Sequence, residues 1–224
     1  MEKNKDIVTI DGPSGAGKST VARALARRLG WRYLDTGAMY RAATAAALDA
    51  GIGLQPPDEE ALDALLEAAG IALDGEGRVL LAGKPVEDRR LREERVNRAV
   101  SAVAALGRVR DRMRALQRAF AGRGGGLVAE GRDLGSVVFP EAAYKFYLDA
   151  SPEERARRRA LERRRNAGED VTPEQVLAEQ AERDRRDAGR ARAPLRMSED
   201  MIRVDTTGLT VEEVVDRLAA MIRS

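Results

Sequence analysis

Neither cysteine nor histidine occurs in this chain of 224 residues. The first absence removes disulfides, thiolate nucleophiles and sulfur-ligated metals. The second removes serine–histidine triads, the usual zinc sites and the commonest general base. Any chemistry must therefore run on carboxylates, Lys, Arg, hydroxyls, backbone amides and a metal held by oxygen. Phosphoryl transfer suits that inventory, because it depends on positioning and charge stabilisation more than on proton shuttling. Lysine is also scarce: Lys3, Lys5, Lys18, Lys84 and Lys145 are the only ones, and every other basic residue is arginine. Arginine forks phosphate and carboxylate better than lysine does. Aromatics are 4% of residues, too few to interleave a base-stacking surface for RNA. Long apolar runs are missing as well. The opening MEKNKDIVTIDG is too short in apolar length for a signal peptide, and no stretch reaches membrane-spanning length. A cytoplasmic protein is expected.

The chain does hold 43% hydrophobic and 34% charged residues with a formal charge of +2. That composition is globular, and the length suits one compact domain with an insertion. Ile7 to Ile10 reads as a buried strand broken at Gly12-Pro13, and Lys18 to Leu29 as a helix closed by Gly30. Trp31 to Leu34 reads as a second strand, with Trp31 and Tyr33 as packing residues, followed by an alanine-rich helix through Ala50. Beyond Pro56-Pro57, Asp58 caps a helix through Ala69. Ile71 to Leu73 and Arg78 to Leu81 then form a hairpin around Gly75–Gly77, and a charged helix runs from about Leu91 to Ala105. This stretch interrupts a strand–helix alternation that resumes with a helix from Arg108 to Phe120. Strands follow at Leu127 to Ala129 and Tyr144 to Leu148. Helices at about 152 to 166 and 173 to 187 come next, then a strand at Met201 to Val204 and a closing helix from Val211 to Ile222. Such alternation predicts an α/β fold with a parallel sheet flanked by helices.

Gly12-Pro13-Ser14-Gly15-Ala16-Gly17-Lys18-Ser19 satisfies the phosphate-loop pattern G-x-x-x-x-G-K-[ST] between a predicted strand and a predicted helix. The glycines let backbone amides turn inward to phosphate, and the following helix, entered through Thr20, adds its positive end. Lys18 brings a cation to the β- and γ-phosphates, and the Ser19 hydroxyl is a candidate Mg²⁺ ligand. The alternative is a ligand-free glycine turn. No N-K-x-D base-reading element of switch GTPases is present. The strand Leu127-Val128-Ala129 ends in Glu130-Gly131-Arg132-Asp133, not in the Asp of a motor ATPase, which points to a small-molecule kinase.

Further clusters are Asp35-Thr36-Gly37 with Tyr40-Arg41, then Arg110, Glu130 to Asp133, and R-D-x-x-D-x-x-R-x-x-x-P-L from Arg183 to Leu195. In the last, Arg183, Asp187 and Arg190 fall four and three apart, on one helical face. With the blocks IDGPSGAGKST, YLDTGAMYRAA, VSAVAALGRVR, EGRDLGSVVFPEA and KFYLDAS, these closely resemble bacterial cytidylate kinases over essentially the whole chain. The resemblance implies the P-loop nucleoside monophosphate kinase fold: a five-stranded parallel core at 1–40 and 104–224, a monophosphate-binding insertion at 41–103 and a short lid at about 152–187. It implies ATP-dependent phosphorylation of CMP and dCMP in pyrimidine nucleotide metabolism, with Mg²⁺ as Mg-ATP. The partners would be ATP and CMP or dCMP, with no nucleic acid, no membrane and a monomeric chain. Residues 12 to 20 would bind ATP, with Arg155 and Arg159 flanking its phosphates. Arg41 and Arg132 would hold the acceptor phosphate, with Arg183 and Arg190 reaching into the same cleft. Thr36, Arg183 and Asp187 would read the ribose, and Ser101, Arg110 and Asp133 the base. Lys18, Arg132, Arg183 and Arg190 would carry catalysis.

Departures are Lys18-Ser19-Thr20 where some members have Lys-Gly-Thr, Thr36 where many have serine, and Glu130 where Asp would serve as well. Bland readings stand beside these. The run Arg155, Arg157, Arg158, Arg159, Arg163, Arg164 and Arg165 also reads as a solvated helix face paired with Glu153, Glu154 and Glu162, or as an RNA-binding helix. Arg132–Asp133 also reads as a structural ion pair, and Arg183–Asp187 as a surface bridge. Another monophosphate, shikimate as acceptor, or a nucleotide-sensing or RNA-binding module remain open alternatives.

Overall fold

The structure is a computed structural model that describes residues 4–54, 56–167, 170–189 and 197–223. In chain order its elements begin with β1 (Asn4–Asp11), α1 (Lys18–Leu29), β2 (Arg32–Asp35) and α2 (Thr36–Asp49). Next come α3 (Glu59–Ala68), β3 (Ala72–Leu73), β4 (Val79–Leu81), β5 (Lys84–Pro85), α4 (Asp88–Leu91), α5 (Glu94–Val103) and α6 (Gly107–Ala121). After β6 (Leu127–Glu130) a π-helical turn spans Leu134–Val138, followed by β7 (Ala142–Asp149), α7 (Pro152–Ala167), α8 (Pro173–Ala188), β8 (Ile202–Asp205) and α9 (Val211–Arg223). A five-stranded sheet has the order β2-β6-β1-β7-β8, and a second sheet has the order β3-β4-β5. The chain divides into two compact units, residues 1–31 with 126–224, and residues 32–125.

In the first unit β1 is central, paired in parallel with β6 (Ile7 opposite Leu127) and with β7 (Val8 opposite Tyr144), and β8 pairs in parallel with β7. Ile7, Val8 and Ile10 are buried, as a strand covered on both faces requires. α1 buries Val21, Ala22, Leu25 and Ala26 along one stripe and ends at Gly30, which adopts the left-handed conformation and donates to the Arg27 carbonyl. α9 packs against α1 and buries Val214, Val215, Leu218, Ala219 and Ile222. α7 and α8 close on each other through Ala156, Ala160 and Val176. Thr172 opens α8 with a capping box to Gln175, so this helical pair carries its own small core and caps.

In the second unit Asp35 caps α2 by accepting from the Ala38 amide, and Asp58 caps α3 through Ala61. β3 and β4 pair antiparallel around a turn in which the Asp74 carboxylate accepts from the Glu76 and Arg78 amides. β5 extends this hairpin, a short strand that the alternation along the sequence does not reveal. The charged helix expected from about Leu91 to Ala105 forms as α5 (Glu94–Val103), and the short α4 precedes it with Glu93 extended (ψ 143) between the two. Asp49, at the end of α2, pairs with Arg90 of α4 and with Arg95 of α5 at 2.8 Å. Among the described residues no helix is long and apolar enough to cross a membrane.

Trp31 lies flat over Gly126. A Cβ built on Gly126 would sit 2.1 Å from the indole Cδ2, inside any permitted contact. Gly126→Ala is therefore expected to lower stability by about 1–3 kcal/mol. In a Trp31→Ala background that cost should largely disappear, as coupling between touching residues requires. Urea denaturation of the two single variants and the double variant measures it, and equal costs in both backgrounds would show that the indole is not the obstacle.

Candidate active site

The phosphate loop leaves the carboxyl end of β1, where open parallel sheets place their ligands. Asp11, the last residue of β1, is wholly buried. Its carboxylate accepts from the Leu134 amide at 2.9 Å and the Gly135 amide at 2.8 Å. Gly12 follows at φ 146°, and a Cβ there would fall 2.0 Å from the Leu148 carbonyl oxygen of β7. Gly15, at φ 82°, lies just as close under the lid: a Cβ would meet Gln180 Nε2 at 2.7 Å and the Arg155 carbonyl at 2.8 Å. Glycine at these two positions is thus a condition of the loop running between β7 below and α7–α8 above.

Lys18 opens α1, and its Nζ donates to the Pro13 carbonyl at 2.7 Å. Burial pulls its pKa down to about 7. Arg132 and Arg183 push in the same direction, while Glu130 and Asp11 oppose them. Lys18, Arg132 and Arg183 thus crowd three cations at one loop, an arrangement that suits a polyphosphate. The Asp11 carboxyl is pushed up to about 7, chiefly by burial, against the two amides that favour its charged form. Ser19 lies in the first turn of α1 with its side chain half-buried.

Arg132 follows β6 and donates from Nη1 to the Gly12 carbonyl at 3.3 Å. Asp133 precedes the π-helical turn and is buried, as is Glu130. Arg155, in α7, is in contact with the loop. It donates to the Ser14 carbonyl (3.1 Å), to the Ala150 carbonyl (3.3 Å) and to Asp184 (2.5 Å). Arg158 donates to the Thr206 hydroxyl and carbonyl, and Thr206 Oγ1 donates in turn to the Ala16 carbonyl at 3.3 Å. Arg159 pairs instead with Glu162 at 2.8 Å on its own helix, and Arg157 pairs with Glu154 in the same way. The arginine run is therefore divided: Arg155 donates to the phosphate loop, Arg158 pairs with Glu154 at 2.8 Å while also donating to Thr206, and Arg157 and Arg159 are held by neighbouring glutamates.

The second unit gathers another group. Thr36 is the first residue of α2 and is buried. Arg41, one turn on, stands 3.9 Å from Asp35. Arg110 of α6 is buried, donates to the Ala104 carbonyl at 3.2 Å and lies over the Tyr40 ring at 5.9 Å. Ser101 of α5 is buried as well. Lys18, Arg132, Asp133, Arg155 and Arg183 thus belong to the first unit, and Thr36, Arg41, Ser101 and Arg110 to the second. Arg190 and the Asp187 side chain lie outside the described residues.

Four residues of the site were given no role in the sequence reading above. Asp184 sits between Arg155 and Arg132 (4.0 Å), and its only signal was its place beside Arg183. Asp11 was visible as the residue before the loop. Thr206 and Gln180 reach the loop only through folding and left no signal.

A sequence profile of the family described as cytidylate kinase matches residues 8–224. A cytidylate kinase of Geobacter sulfurreducens is 47% identical over 97% of this chain and 92% of its own length. Those of Vibrio cholerae and Stutzerimonas stutzeri are each 48% identical, covering 100% and 97% of this chain and 99% and 95% of theirs.

The depressed Lys18 pKa has a definite sign. Above about pH 7 the free lysine is largely neutral, whereas a polyphosphate favours the ammonium. Binding of ATP should therefore take up a proton, and its affinity should fall as pH rises from about 7 toward the ordinary lysine range. Calorimetry at pH 8 in two buffers of different ionisation heat should show that uptake. It should shrink in Lys18→Ala, and identical uptake in both proteins would assign the proton elsewhere.

Proposed function

The chain belongs to the cytidylate kinase family, and on that premise we propose how its residues carry out the ATP-dependent phosphorylation of CMP to CDP. The observation that carries the reading is the buried Lys18 at the phosphate loop, whose pKa burial, aided by Arg132 and Arg183, pulls down to about 7. The Gly12–Thr20 loop binds the ATP phosphates. Lys18 exchanges the Pro13 carbonyl for the β- and γ-phosphates, and Arg155 of the lid flanks them, joined by Arg159 when it exchanges Glu162 for phosphate. The attacking atom is an oxygen of the acceptor phosphate, already anionic, so no general base is needed and the lack of histidine is no obstacle. The bond from the γ-phosphorus to the bridging oxygen breaks as the new one forms. Lys18, Arg132, Arg183 and Arg190 stabilise the charge spread over the transferring group.

Among the described residues no three acidic side chains converge on a metal, and Asp11 is committed to two backbone amides. The Ser19 hydroxyl, in the first turn of α1, is the ligand assigned to Mg²⁺. That fits a hard cation held mostly by nucleotide phosphates and water, which neutralises phosphate charge when bound. On the acceptor side Arg41 and Arg132 fork the CMP phosphate, and Thr36, Arg183 and Asp187 bond the ribose hydroxyls. Ser101, Arg110 and Asp133 read cytosine, whose amino donor complements a carboxylate. Residues 41–103 serve as the monophosphate-binding insertion, and about 152–187 as the lid on a core of 1–40 and 104–224. The enzyme is a cytoplasmic monomer that also accepts dCMP.

An ADP-release assay with CMP, dCMP, UMP, AMP and shikimate tests the reading, with CMP and dCMP expected to dominate. Lys18→Ala should cost at least about 10²-fold in kcat with the fold intact; wild-type turnover in that folded variant would sink the mechanism. Asp133→Ala should shrink the ratio of kcat/KM for CMP over UMP, from a wild-type value below the roughly 10⁴-fold ceiling of a buried polar mismatch. An unchanged ratio would return Asp133 to a structural role.

A further inference from the structure

A carboxylate that touches no substrate in the mechanism above organises the acceptor-reading segment. The end of β1 is stitched to residues 131–135 by four hydrogen bonds. Gly131 N–H donates to the Ile10 carbonyl at 3.0 Å, and Arg132 Nη1 donates to the Gly12 carbonyl at 3.3 Å. The Leu134 and Gly135 amides donate to the two oxygens of Asp11 at 2.9 and 2.8 Å. These two amides begin the π-helical turn, where donors have no partner within the turn itself. The residue placed to cap them is Asp133, and aspartate is a preferred cap. Yet Asp133, at φ −147°, makes no side-chain capping bond. Asp11 does that work from the neighbouring strand.

The turn is also confined from beneath. A Cβ on Gly135 would stand 2.9 Å from Thr9 Oγ1, 3.0 Å from Met201 Cε and 3.2 Å from Lys145 Cδ. It has room for a glycine and nothing larger without displacement. π-helical turns recur at functional sites, and this one lies directly after Arg132 and Asp133.

We propose that Asp11 is a positioning residue for phosphoryl transfer, capping the Leu134–Val138 turn in place of Asp133 so that Arg132 and Asp133 are presented to the acceptor nucleotide. One side chain thereby fixes the acceptor-reading segment to the strand that launches the phosphate loop. This rests on the acceptor roles given to Arg132 and Asp133 above. Asp11→Asn keeps size and one acceptor but turns an NH₂ toward an amide N–H, so one of the two bonds is lost. Gly135→Ala displaces the same turn from its other side.

Both variants should lower the CMP-over-UMP ratio of kcat/KM by about 10-fold while ATP affinity changes by no more than about 3-fold. In an Asp133→Ala background, Asp11→Asn should change that ratio no further, because the two act through one carboxylate. A carboxylate that only stabilised the strand would lower the melting temperature and leave the ratio intact, and that outcome overturns the proposal. So does full additivity with Asp133→Ala. Loss of folding in both variants overturns it too, since Asp11 and Gly135 would then be requirements of the fold. If Asp133→Ala alone keeps the wild-type ratio, the base-reading role fails separately. Asp11 is then judged by kcat with CMP, where non-additivity with Arg132→Lys supports the proposal and additivity overturns it.

Discussion

Everything in the first unit hangs on the carboxyl end of one buried strand. Over Ile10, Asp11 and Gly12, β1 makes its last pairings, Ile10 with Glu130 and Phe146 and Asp11 with Tyr147, and passes into the loop at a junction. β7 presses its Leu148 carbonyl where a side chain on Gly12 would be. The segment after β6 is bonded to all three residues, two through their carbonyls and one through a carboxylate. A central strand is the place for such a junction, because hydrogen bonding on both edges leaves it the least freedom to shift.

Around that junction the cations occupy backbone oxygens. Lys18 bonds the Pro13 carbonyl, Arg155 the Ser14 carbonyl and Arg132 the Gly12 carbonyl. Neutral carbonyls satisfy the N–H donors without cancelling the charge, so the loop stays electropositive and a phosphate can outcompete them. Asp184 is the exception, a full negative charge placed between Arg155 and Arg132. Its oxygens stand toward these arginines as a phosphate's would.

The phosphate loop was legible because its chemistry is local: glycines at fixed offsets, a lysine and a hydroxyl at a helix start, a strand before it. The strand–helix alternation and the caps at Asp58 and Gly30 were equally local, and those elements form close to where the pattern places them. The short α4 ahead of α5 was not legible, nor was the pairing of Asp49, more than forty residues away, with both Arg90 and Arg95. The split among the lid arginines was hidden for a related reason. Arg155, Arg157, Arg158 and Arg159 are chemically alike, and only the packing of α7 beside the loop separates those that touch it.

By itself, then, the sequence determined the kind of chemistry, the nucleotide-binding loop, the alternating fold and, through resemblance, the family. Each is written in residue types at short fixed spacings, where chain geometry alone brings the groups together. Only the tertiary structure decided that Asp11 caps a turn 123 residues away, that Thr206 and Gln180 close on the phosphate loop, and that Lys18 shares its field with Arg132 and Arg183. Those relations depend on which strands become neighbours in the sheet, and distance along the chain carries no record of that choice.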